Sequence, residues 1–211
     1  MWTLDPIDGT KGFLRGEQYA VCLALLVDAR VELGILGCPN LPPSPTDPDS
    51  GDKGALFVAV RGQGAHQLPL SPSAPNVPLQ LHMPRLSLHD LSFFESVESA
   101  HAALDVNARV AERLGVRAAP VRMDSQAKYA ALTRGDGGGG VYLRLPVTRG
   151  GGGYNEKIWV RPSRGLVSHG SHILGWVVGP RAGIVACRGG RRRYFGLSRA
   201  PAGLRTWTNA R

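Results

Sequence analysis

The chain has 211 residues and a formal net charge of +9, and its charges are unevenly placed. Residues 160–211 contain ten Arg and no Asp or Glu, whereas residues 1–159 hold 15 basic and 16 acidic side chains, a net charge of −1. The length allows one domain with a sizeable core, or two small ones. The basic tail shows no periodicity that would align its arginines on one face, so a nucleic-acid-binding function is not favoured.

The cysteines and the hydrophobic pattern indicate the compartment. Cys22, Cys38 and Cys187 are odd in number and far apart, which disfavours a disulfide framework or a zinc site and fits a reducing environment. No apolar run is long enough to cross a membrane, and the N-terminus lacks a signal-peptide pattern. We therefore expect a soluble, cytoplasmic protein without a membrane partner. The sequence does not indicate its oligomeric state.

The first residues predict a strand, a turn and a short helix. Asp5 and Asp8 are three apart, and Pro6 restricts the backbone between them, so both carboxylates can converge on one hard cation. Gly9 permits a sharp turn, and Thr10 would begin a short helix whose first N–H groups favour a phosphate. These residue types are also good turn formers, and by themselves they favour an ordinary surface turn.

Apolar and turn-forming segments then alternate and predict two β-hairpins. Their strands are the apolar runs 19–28 with 31–38, and 55–61 with 65–68. The intervening residues 39–54 and the following residues 68–84 are rich in Pro, so both are predicted to be connecting loops.

The second half mixes strands and helices. Residues 91–97 and 141–145 have strand character. Residues 101–114 repeat apolar side chains with a period near 3.6, so a helix is predicted there. Residues 124–132 are predicted to form a second helix, capped by Asp124 or Ser125. Strands and helices do not strictly alternate, so the predicted class is layered α/β or α+β rather than a doubly wound sheet.

The run from Trp2 to Leu14, WTLDPIDGTKGFL, resembles the signature of the inositol monophosphatase family of magnesium-dependent, lithium-sensitive phosphatases. Its continuation to Leu25 is similar to the 3′(2′),5′-bisphosphate nucleotidase branch of that family. The resemblance extends to Trp159 and implies an αβαβα sandwich, incomplete in this chain. Residues 1–159 would form a partial phosphatase core, with the metal and phosphate motif at 2–14 and half of the substrate pocket at about 91–159.

The resemblance also implies a set of site residues. Mg²⁺ would be held by Asp5, Asp8 and the carbonyl of Ile7, with Asp5 bridging two ions. Thr10 and Asp5 would take part in catalysis, and the N–H groups of Gly9 and Thr10 would hold the phosphate. Four side chains would hold the nucleotide, namely His101, Ser125, Lys128 and Arg144. Without the resemblance, a structural or solvated role is the better interpretation for each of these four.

Ser125 and Lys128 are three residues apart, which predicts a hydroxyl and an ammonium group on one face of a helix. The segments Lys11-Gly-Phe-Leu-Arg-Gly-Glu17 and Asp124-Ser-Gln-Ala-Lys128 favour a nucleotide as the substrate.

The implied activity is magnesium-dependent removal of the 3′-phosphate from adenosine 3′,5′-bisphosphate. The chain departs from the family after Tyr154-Asn-Glu-Lys-Ile-Trp159, where members continue with a metal-binding aspartate and this chain has Val160. Family members also carry a glutamate ligand and a water-orienting aspartate upstream, whereas Met1 directly precedes the motif here. We therefore expect weak or no activity in this form. We interpret residues 160–211 as a disordered or aberrant tail, such as translated intron or frameshifted sequence.

Two alternatives stay open at this point. One is an inositol phosphate phosphatase that shares the same core. The other is a non-catalytic remnant that binds a nucleotide without metal, or that attaches to nucleic acid through its basic tail.

Overall fold

A computed structural model describes residues 1–47, 52–72, 74–81, 91–97, 104–136, 140–144 and 183–186. These residues form two sheets and three helices. The first sheet contains, in chain order, β1 (Trp2–Asp8), β2 (Ala20–Val27), β3 (Arg30–Cys38), β4 (Ala55–Val60), β5 (Gly64–Pro69) and β6 (Leu79–Gln80). Each strand is antiparallel to the next, as expected for successive hairpins.

The second sheet is mixed. Its strands are β7 (Ser92–Glu95), β8 (Val121–Arg122), β9 (Gly140–Arg144) and β10 (Gly183–Ala186), in the spatial order β10-β9-β7-β8. Strand β7 is parallel to both β8 and β9, and β10 is antiparallel to β9. The sequence pattern does not predict β10, because the basic tail shows no strand periodicity. The division of the chain at residue 159 stays a prediction.

Three helices complete the fold, namely α1 (Thr10–Leu14), α2 (Leu104–Arg113) and α3 (Ala127–Arg134). Seven of the eight residues of α3 are buried. The main core cluster joins its residues to Leu36 and Phe57 of the first sheet and to Phe94 and Tyr142 of the second. Helix α3 therefore lies between the two sheets.

Helix α2 lies on the other side of the second sheet. Neighbouring residues of a strand point to opposite faces, so Phe94 joins the α3 cluster while Phe93 packs with Val110 of α2. The described residues thus form sheet, helix, sheet and helix layers, and they confirm the predicted layered α/β class.

Several predicted boundaries change. Strand β7 is shorter than the predicted 91–97, and α2 is described from Leu104, so residues 101–103 of the predicted helix lie outside the described residues. Helix α3 begins at Ala127 rather than at residue 124, because Ser125 has a φ of +58° and cannot continue an α-helix. Among the residues that the structure describes, no helix combines the length and the apolar character needed to cross a membrane.

The two cysteines of the first sheet, Cys22 and Cys38, are both fully buried free thiols. Burial raises the pKa of Cys38 to about 12, against an opposing effect of Arg134, and burial also raises the pKa of Cys22 well above its ordinary value. Only the thiolate reacts readily. We expect a Cys187→Ser variant to show no thiol that reacts with an aromatic disulfide reagent at neutral pH until it is unfolded. Rapid labelling of the folded variant would contradict this placement.

Candidate active site

The first part of the site is the segment Asp5–Thr10, called here the carboxylate turn. Strand β1 ends in it, and Gly9 turns the chain into α1 with a φ of +81°. The turn lies directly against Ser125, because a Cβ atom at position 9 would be 2.4 Å from the Cβ of Ser125. A side chain at position 9 therefore fits neither the backbone conformation nor the space.

A β-bulge brings the two carboxylates together. Side chains alternate along a strand, so residues three apart point to opposite faces. In β1, however, Asp5 is paired with Cys22 and Asp8 with Ala20, so three steps along β1 match two steps along β2. This extra residue places Asp5 and Asp8 on the same face of the sheet as the buried Cys22.

The electrostatics of Cys22 agree with that placement. After burial, the next causes that raise the pKa of its thiol are the negative charges of Asp8 and Asp5. Both carboxylates therefore lie near the same buried thiol, and their convergence on one cation stays a prediction.

Hydrogen bonds fix the carboxylate turn. Oδ1 of Asp5 accepts from the N–H of Ile7 at 3.1 Å, and the carbonyl of Ile7 accepts from the hydroxyl of Thr10 at 3.4 Å. Oδ2 of Asp8 accepts from the N–H of Gln126 at 2.6 Å, across 118 residues of sequence. Asp8 is thus tied to the segment that leads into α3, which adds a negative charge where a helix dipole favours one.

The second part of the site is residues 124–126, called here the serine turn. Oγ of Ser125 accepts from the N–H of Ala127 at 3.1 Å. The ammonium group of Lys128 donates to the carbonyls of Met123 and Ser125, both at 2.9 Å, and lies 5.8 Å from the ring centroid of Tyr142. The ammonium of this buried lysine therefore holds the serine turn in shape.

The prediction that Ser125 and Lys128 share one helical face is wrong, since Ser125 precedes α3 in a left-handed conformation. The two residues are nevertheless neighbours, because Lys128 donates to the carbonyl of Ser125. Their contacts with a substrate stay predictions.

Sequence reasoning missed an ion pair that joins the C-terminal end of α1 to the serine turn. A guanidinium nitrogen of Arg15 pairs with Oδ2 of Asp124, whose side chain is 7% exposed. Asp124 is thus an ion-pair partner rather than the predicted helix cap. No local sequence signal reveals a contact across 109 residues.

Two predicted nucleotide-binding residues are not placed by the structure. His101 lies outside the described residues, and only the backbone of Arg144 lies within them, in β9. The roles of both side chains stay predictions.

The oxygen donors of the carboxylate turn fit a magnesium ion in part. Among the described residues, no group of three or more His, Cys, Asp or Glu could hold a metal ion. Mg²⁺ often binds through only one or two carboxylates and keeps its remaining ligands as water and substrate phosphate. Asp5, Asp8 and the Ile7 carbonyl supply that smaller set.

Comparison with solved structures defines the class of fold. A crystal structure of CysQ from Bacteroides thetaiotaomicron, described as a bacterial member of the inositol monophosphatase family, matches with a TM-score of 0.57. The match covers 89% of this chain and 70% of that one at 18% sequence identity, so it supports the fold alone. The layered arrangement is that of inositol monophosphatase-type proteins.

Sequence comparison then identifies the family. The model of the inositol monophosphatase family matches residues 1–159, and the chain belongs to this family. A 3′(2′),5′-bisphosphate nucleotidase 1 from Arabidopsis thaliana is 45% identical over 188 residues, which cover 86% of this chain and 48% of that protein. A 3′(2′),5′-bisphosphate nucleotidase from Oryza sativa is 49% identical over 173 residues, or 79% of this chain and 46% of that protein. The chain spans about half the length of these relatives.

Proposed function

We propose that the chain is a phosphomonoesterase that removes the 3′-phosphate from adenosine 3′,5′-bisphosphate with the help of Mg²⁺. The observation that carries the proposal is the β-bulge, which places the carboxylates of Asp5 and Asp8 on one face, beside the serine turn. The relatives that support a nucleotide substrate are named as bisphosphate nucleotidases at 45% and 49% identity.

Four residues of the carboxylate turn have a task in this proposal. Bound Mg²⁺ would neutralise charge on the phosphoryl oxygens and make a water more acidic. Asp5 and Asp8 would hold the ion, with the carbonyl of Ile7 as a third oxygen. The hydroxyl of Thr10, oriented by that carbonyl at 3.4 Å, would orient the attacking water.

The serine turn would receive the substrate on the other side. Its shape is set by Lys128, whose ammonium group donates to the carbonyl of Ser125 within the turn and to that of Met123 just before it. The hydroxyl of Ser125, next to the carboxylate turn, would donate to a phosphate oxygen while it accepts from Ala127. The fixed turn avoids an entropic cost when the substrate is bound.

The charge of the described carboxylates limits how many ions they can hold by themselves. Asp5 and Asp8 together contribute −2, whereas a pair of Mg²⁺ ions brings +4, so these two carboxylates alone favour one hydrated ion.

The test is magnesium-dependent binding of adenosine 3′,5′-bisphosphate by calorimetry, together with phosphate release. We expect Asp5→Asn and Asp8→Asn to weaken the magnesium-dependent binding about tenfold or more, because each removes a charge that holds the ion. Asp105→Asn is the matched control, since Asp105 is 79% exposed on α2 and should leave binding unchanged.

Three outcomes would contradict the proposal. Binding that ignores magnesium would indicate a nucleotide-binding protein without a metal centre. Faster phosphate release from an inositol phosphate than from the nucleotide would overturn the substrate. Equal effects of the three substitutions would remove the site from the carboxylate turn.

A further inference from the structure

The carboxylate turn, together with the α1 helix that follows it, meets the serine turn at three points, although the two turns are distant in the sequence. The first is the hydrogen bond from the N–H of Gln126 to Asp8. The second is the close approach of Gly9 to Ser125. The third is the ion pair of Arg15 with Asp124, at the far end of α1. The first two contacts involve the expected ligand residues themselves, whereas the third does not.

Helix α1 depends on external contacts for its position. It has five residues, and a helix of that length is not stable by itself in water. Its middle residue, Gly12, lies against Asp124, because a Cβ atom there would be 2.9 Å from the Cβ of Asp124. Arg15, the C-cap residue of α1, then reaches the carboxylate of the same Asp124. Asp124 therefore contacts α1 at its middle residue and at its C-cap, and these contacts help to fix the position of the helix.

The two side chains of the Arg15–Asp124 ion pair differ in their exposure to solvent. The side chain of Asp124 is 7% exposed and that of Arg15 is 38% exposed, and Arg15 also bonds Glu17 at 2.8 Å through Nε. A buried carboxylate needs a partner, because an unpaired charge in the interior is strongly unfavourable. The preference of Asp124 for a paired arginine thus holds α1 in one orientation.

We propose that Arg15 and Asp124 are a positioning pair that sets the distance between the carboxylate turn and the serine turn, and so sets the affinity for the phosphate ester. The pair does not touch the reacting atoms. It acts through Gly9 and Ser125, whose separation leaves no space for adjustment. This inference rests on the proposed function, which identifies the two turns as one binding site.

A double-mutant cycle tests the pair in the full chain, with Arg15→Gln, Asp124→Asn and the double variant. The readout is the Kd of adenosine 3′,5′-bisphosphate in the presence of magnesium, measured beside the thermal midpoint without ligand. We expect each single substitution to weaken binding roughly tenfold, and the double variant to be no weaker than the worse single variant. Arg15→Lys keeps the charge and should recover most of the lost affinity, to within about threefold of the unaltered chain.

The matched control is the ion pair of Arg61 with Glu32, which is 2.9 Å long and joins side chains that are 43% and 34% exposed. The same cycle on this pair should leave the Kd unchanged. Additive losses at Arg15 and Asp124, or a lower thermal midpoint with unchanged affinity, would overturn the positioning role and leave the proposed function standing. Failure of the unaltered chain to bind the nucleotide would overturn both.

Discussion

Replacing Gly9 with alanine is expected to destabilise the chain by about 3 kcal/mol or more and to abolish nucleotide binding. Two causes add. The φ of +81° is unfavourable for any residue with a Cβ, and the added methyl would lie 2.4 Å from the Cβ of Ser125. The carboxylate turn and the serine turn would have to separate. Urea unfolding and calorimetry with magnesium and nucleotide measure the two effects.

Gly16 provides the matched control for this substitution. Its φ is +71°, close to that of Gly9, but a Cβ at Gly16 meets nothing within 4 Å. Gly16→Ala should therefore cost only the backbone strain, about 1 kcal/mol, and leave the Kd unchanged. If both variants lose the same stability and keep their affinity, the close approach of the two turns has no role in the site.

Arg134→Ala is expected to cause a loss of stability of about 3–5 kcal/mol. The Arg134 side chain, 5% exposed, makes two parallel hydrogen bonds of 2.7 Å to Asp136 and one of 2.6 Å to the carbonyl of Pro42. Its guanidinium also lies 5.9 Å from the ring centroid of Phe57. Truncation would leave Asp136 without its partner and would release the loop at Pro42 from α3.

Two further variants make this expectation specific. Arg134→Lys keeps the positive charge but cannot form the bidentate pair of hydrogen bonds to Asp136, so most of the loss of stability should remain. Arg109→Ala removes an arginine that is 71% exposed in an ion pair of 3.8 Å, and it should change stability by less than about 0.5 kcal/mol. If Arg134→Ala and Arg109→Ala change the free energy of unfolding equally, the contacts of Arg134 with Asp136 and Pro42 do not hold the loop.

The hairpins of the first sheet were predictable from local patterns. The apolar runs 19–28 and 31–38 match β2 and β3 to within one residue at each end. A continuous apolar sequence is typical of a buried strand, and the tight turn at Asp28 and Ala29 needs only two residues. Strands β6 and β8 have two residues each and carry no such pattern. Their pairing depends on neighbours that only the folded chain brings together.

The sequence predicts which residues belong to the candidate site better than it predicts how they are arranged. The spacing of Asp5 and Asp8 predicts convergence through Pro6, whereas the structure places the two residues on one face through a bulge, a feature of the pairing with β2 that β1 alone does not reveal. The helical interpretation of Ser125 is wrong, because its contact with Gly9 and the bond of Gln126 to Asp8 override local helix preference. Long-range contacts of this kind have no signature in the local sequence.

Helix α3 is buried in the interior along most of its length, and its N-terminal end directly follows the serine turn of the candidate active site. Its small residues, such as Ala127 and Ala130, are fully buried, and the neighbouring Lys128 shapes the serine turn. A substitution that enlarges one of these alanines would overpack the interior, displace α3 and carry the serine turn with it. Packing in the interior and the position of the serine turn are therefore coupled in this chain, so a change on the buried side of α3 would also alter the candidate active site.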